Sequence, residues 1–77
     1  MNHKMLTGWI PVEEQLPEET CNYLCTVITD DGTLDTPLRF CMIGHFNRTA
    51  KGGFWADDDR RRRTVAWMPL PKTWKGR

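Results

Sequence analysis

Proline punctuates this chain so that little room remains for helix at either end. In the opening GWIPVEEQLPEE, Pro11 and Pro17 bracket the segment VEEQL. Pro11 fixes φ and suits an extended entry or a first helical position. Pro17 pushes Leu16 away from the helical region, so VEEQL can close at most one helical turn. Near the other end, the prolines of MPLP, Pro69 and Pro71, forbid continuation as a central strand and favour an extended, polyproline-like exit.

What lies between reads as strand. NYLCTVIT is rich in β-branched and aromatic residues. DDGTLDTP follows as a loop, and LRFCMIGHFN is a second strand with Gly44 as a bulge or a point of close approach. RTAKGG turns the chain, FW restarts extended structure, and TVAWM is a third strand. The expected fold is mainly β, with a small α+β arrangement as the alternative. It is a single antiparallel sheet of three to four strands, with the N-terminal Trp/Pro segment, at most one helical turn, packed across it. In strand two Leu38, Phe40, Met42 and Phe46 alternate onto one face. Leu24 and Ile28 are expected to join them from strand one, leaving Tyr23, Cys25, Val27, Cys41, Ile43 and His45 on the other.

Size decides what holds such a sheet together. Seventy-seven residues make one domain, 1–77, near the lower limit for folding alone, burying only about 60% of the unfolded chain's surface. Each aromatic ring removes roughly 150–250 Å² from water, so the four Trp, three Phe and one Tyr matter most. The expected core is Trp9, Leu16, Phe40, Phe46, Trp55, Trp67 and Leu70. The ordered part is expected to run from about 8 to 71, with mobile termini at 1–7 and 72–77. No apolar run approaches the ~20 residues that span a bilayer, and the N-terminus lacks a signal-peptide apolar region. The chain is therefore expected to be cytoplasmic, with its three Cys reduced.

The residues offer little that suggests catalysis or a cofactor. Cys21-x₃-Cys25 and Cys41-x₃-His45 have a superficial zinc rhythm, but on a strand positions i and i+4 lie roughly 13 Å apart. A hairpin register placing Cys25 opposite Cys41 and Cys21 opposite His45 would make two separate pairs, not a tetrahedral cage. The chain contains no Ser and only two His, and no third residue suggests itself to orient a Cys–His pair. Asp57, Asp58 and Asp59 lack calcium-loop spacing. No enzyme activity, metal or cofactor is expected.

Charge is unevenly distributed. Residues 1–37 carry one Lys against seven carboxylates, whereas residues 38–77 carry ten Lys and Arg against three Asp. The run DDDRRRR, Asp57–Arg63, is read first as a solvated turn, because adjacent extended residues alternate sides and cannot make one flat patch. Its alternatives are a protein contact and a phosphate grip assisted by stacking on Trp55 and Trp67. Candidate partner-binding residues are Arg60, Arg61, Arg62 and Arg63, the acidic loop at Asp30 and Asp31, and Trp74.

Two stretches carry a family resemblance. GWIPVEEQLP at 8–17, and FWADDD with AWMPLP within 54–71, resemble the family called domain of unknown function 551. Its small proteins are frequent in phages and prophages. They open on a Trp-Ile-x-Val-x-Glu-x-Leu-Pro type motif and close on a His-Trp-Met-Pro-Leu-Pro type motif. Ile43-Gly44-His45-Phe46 matches the aliphatic-Gly-x-aromatic stretch between them. Ala66 stands where many members have His, so a role of that His does not carry over. The resemblance implies a phage or prophage accessory protein in a bacterial cell, and the aromatic frame, charged loops and uneven charge point to protein binding, with a modulator or inhibitor of a host enzyme or defence system as the expected role. The alternative is nucleic-acid binding through Arg60–Arg63 and the basic C-terminus, Lys72, Lys75 and Arg77. The sequence sets no oligomeric state.

Overall fold

A computed structural model of the protein describes residues 8–30 and 36–71. These form one antiparallel sheet of five strands, curled into a half-barrel, in the order β1-β5-β2-β3-β4. The strands are β1 (Ile10–Pro11), β2 (Cys21–Thr29), β3 (Leu38–Thr49), β4 (Gly52–Trp55) and β5 (Arg62–Pro69). The expected count of three to four strands is corrected to five by β1. Ile10 pairs with Trp67 and Pro11 with Ala66, and Val12 N donates to Val65 O at 3.0 Å. A proline is tolerated there because an edge strand has one side free of ladder bonds. None of the described residues is helical. VEEQ instead makes one turn, in which Pro11 O accepts from Glu14 N at 3.0 Å and Gln15 N at 3.1 Å.

Strand pairing differs from the expected register by one residue. Cys25 lies opposite Met42, Cys21 opposite Phe46, and Asn22 opposite His45. Because side chains alternate with period two, that single step exchanges the faces of one strand relative to the other. Tyr23, Cys25 and Val27 therefore share the inner face with Met42 and Phe46, while Leu24 and Ile28 share the outer face with Cys41 and Ile43. The buried cluster is Tyr23, Cys25, Val27, Phe46, Trp55 and Trp67, with Ile10, Val12, Leu16 and Met42 packed against it. Trp9 is half-buried. Phe40 and Leu70, expected inside, are 37% and 36% exposed. Phe40 sits near the start of β3 and Leu70 just past the end of β5, where the curled sheet opens to water.

Two local devices allow this packing. Strict alternation would forbid Thr64 and Trp67 from both facing inward, yet both are buried. A register shift between Thr26 and Val27, opposite Val65, inserts the extra residue that makes it possible and bends the sheet. In β4, Gly53 at φ +137° lets the backbone lie against the Phe46 ring, where a Cβ would clash. The rings then lock edge to face. Tyr23 meets Trp67 at 5.0 Å and 71°, and Trp55 at 6.1 Å and 79°. Such pairs contribute roughly 0.5–1.5 kcal/mol beyond area burial.

The segment after β1 straps the open side of the half-barrel. Gln15 O accepts from Trp67 Nε1 at 2.9 Å, and Pro17 is fully buried. Pro17 O accepts from an Arg48 guanidinium nitrogen at 2.9 Å, tying the strap to β3.

Candidate functional site

The first part of the charged run, Asp57–Arg61, closes into a hydrogen-bonded turn between β4 and β5, while Arg62 and Arg63, expected in the turn, begin β5 opposite Thr29 and Ile28. Asp58 N donates to Trp55 O at 3.2 Å, and Asp59 N to Arg62 O at 2.8 Å. The carboxylates act mainly on backbone: Asp59 Oδ1 accepts from Arg61 N at 2.8 Å and Arg62 N at 3.0 Å. Asp58 Oδ1 accepts from Thr64 N at 3.0 Å and Thr64 Oγ1 at 2.9 Å. These groups lie on the side of β5 away from β2, below the point where β1 stops. Asp58 and Asp59 thereby satisfy an edge that would otherwise present bare N–H groups.

The same turn brings together residues distant in sequence. Asp30 N, just past β2, donates to Arg61 O at 2.7 Å. An open hollow of about 250 Å³ lies beside this contact, lined by Ile28, Pro37, Asp30, Asp59 and the four Arg. Arg60, Arg61 and Arg63 are exposed. Arg62 is half-buried, its guanidinium 5.8 Å from the Phe40 ring centre, within cation–π range. Sequence reasoning placed Asp30 and the Arg run in separate loops; no local signal connects them. Asp31 and Trp74, the other candidate contacts, lie outside the described residues, as do Lys72, Lys75 and Arg77.

The cysteines and histidine are dispersed. Cys21 and Cys25 lie on the inner face and Cys41 and His45 on the outer, and all three Cys are free. His45 Nδ1 is 2.7 Å from Asn22 Oδ1, a bond made by the true register. Burial pushes the Cys25 thiol up to about 11, with Asp58 and Asp57 adding to it against a lowering bond from Gly44. A thiol held protonated is a poor nucleophile and metal ligand. Burial also raises Tyr23, whose hydroxyl donates to Glu19 O at 2.9 Å.

A model of the family described as protein of unknown function (DUF551) matches residues 8–73. No curated protein and no solved structure matches the chain.

Proposed function

We propose, from the premise that the chain belongs to the DUF551 family of proteins of unknown function, that it is a non-catalytic accessory protein of a phage or prophage which works by binding another protein, a host enzyme or defence component. The observation that carries this reading is the Arg-lined hollow. Three exposed Arg and Asp30 share its lining with the apolar Ile28 and Pro37, with Leu38 59% exposed next to Pro37 in β3. Arg beside apolar side chains is the composition that protein interfaces favour. The excess of Arg over carboxylate in the lining selects an acidic protein surface as partner.

The test is affinity capture from bacterial lysate with the intact protein and with a variant carrying Arg60→Ala, Arg61→Ala and Arg63→Ala. A protein enriched by the first and lost with the second, at roughly tenfold weaker binding or more, is the expected result. Reproducible failure to enrich any protein overturns the reading. The exposed Arg also support a second reading, nucleic-acid binding. It requires affinity for DNA or RNA that falls steeply with salt, and flat titrations at low salt dispose of it.

A further inference from the structure

We infer that the outer edge of β3 pairs antiparallel with the same edge of a second copy of this chain, about a two-fold axis at Cys41. This is independent of the Arg-lined hollow and would stand without it. β3 is long, and its two sides are unequally covered. β2 pairs with Leu38–Phe46, but β4 pairs only with Phe46–Thr49. His45 O accepts from Ala56 N at 2.9 Å, which extends the β4 side by one residue. Among the described residues nothing bonds to that side of β3 from Leu38 to Gly44.

Which groups are open follows from alternation. In an antiparallel strand each residue's N–H and C=O point to the same side, and successive residues alternate. His45 O points toward β4, whereas Arg48 N points toward the β2 side, donating to Thr20 Oγ1 at 2.9 Å. Neither pairing of β3 shows a register shift. Arg39, Cys41 and Ile43 therefore present their N–H and C=O groups outward. The open stretch is bounded on one side by Pro37, which has no N–H, and on the other by His45, whose carbonyl is occupied. It is symmetric about Cys41.

That symmetry selects a second copy. With Cys41 opposite Cys41 of the other copy, Arg39 lies opposite Ile43 and Ile43 opposite Arg39, and every outward donor and acceptor in the stretch is paired. A shift by two residues either way sets Arg39 against His45 or Ile43 against Pro37, and leaves groups unmet. The side chains agree with this register. Phe40 comes opposite Met42, a favourable ring–sulfur pair, and no two like charges meet. The exposure of Ile43, 59%, and Phe40 falls where the second copy would lie. The other edges carry protection: β5 is capped by Asp58, Asp59 and β1, and β4 has only four residues. The β3 edge from Leu38 to Gly44 has no proline or bulge to block strand pairing, and its one charged residue, Arg39, faces Ile43 of the other copy in this register.

The test uses the full chain and two variants at position 43 in sedimentation and light scattering, and cysteine variants in cross-linking. The unaltered protein is expected as a dimer of twice 9.0 kDa at tens of micromolar. Ile43→Lys sets a cation opposite Arg39 at both symmetric positions and weakens the dimer about tenfold, whereas Ile43→Glu retains or tightens it. Position 43 is exposed, so both variants keep the fold, which tryptophan fluorescence checks. In a Cys21→Ser background, used because Cys21 is also exposed, a two-carbon bismaleimide should join two copies through Cys41, with the product absent once Cys41→Ser is added. A monomer at every concentration, equal effects of Lys and Glu at position 43, or cross-linking that survives Cys41→Ser overturns the inference.

Discussion

A Cβ built on Gly44 would lie 2.9 Å from Cys25 Sγ, closer than side chains normally approach. Gly44→Ala is therefore expected to destabilise the protein by about 1–3 kcal/mol through overpacking, read from the urea midpoint. Most of that loss should return in a Cys25→Ala background, since the clashing atom is then gone; a loss unchanged in the double variant would show that the sulfur is not the cause. The two buried indoles offer a second contrast. Trp67 Nε1 donates to Gln15 O, while Trp55 Nε1 is buried without a partner among the described residues. Phe substitution removes similar ring volume at both sites but forfeits a hydrogen bond only at Trp67. Trp67→Phe is expected to cost about 1 kcal/mol more than Trp55→Phe, measured by equilibrium unfolding.

At the scale of elements, the acidic half of the charged run caps the edge of β5. Asp58→Ala removes both acceptor bonds to Thr64 and leaves a buried threonine unmet, a cost of about 1–3 kcal/mol. Asp57 makes no side-chain hydrogen bond among the described residues, and Asp57→Ala is expected within about 0.5 kcal/mol of the parent. Paired thermal melts of the two variants check this, and equal losses would refute an edge-capping role. That Asp57–Arg61 forms a turn was legible from its place between FW and TVAWM, whereas Arg62 and Arg63, read as part of that turn, begin β5 opposite Thr29 and Ile28. Its bonding was not: adjacency in sequence suggests Asp neutralising Arg, whereas these carboxylates bind backbone N–H groups of the following strand. β1 was hidden for a similar reason. A two-residue strand containing a proline carries no periodic signal, and it exists only because Val65 O and the β5 edge are there to receive it.

For the whole molecule, the buried thiol and phenol set an alkaline limit. Cys25 ordinarily ionises near 9 and in the fold only at about 11, and Tyr23 is also raised. Above pH 9 the unfolded chain releases the Cys25 proton while the folded chain keeps it, so ionisation favours unfolding. Stability is expected to be unaffected by this group below about pH 9 and to fall from there toward pH 11. Urea midpoints across that interval check it, and Cys25→Ala should flatten the decline. By itself the sequence determined that this chain is a small β protein and where most of its strands lie. Those properties follow from proline, β-branched residues and alternation, all of which act within a few residues. Tertiary structure decided the register of β2 on β3, the bulge at Val65, the fifth strand, and the meeting of Asp30 with the Arg turn. Each depends on which distant backbone groups and rings satisfy one another, and a shift of one residue, locally almost neutral, exchanges an entire face between core and water.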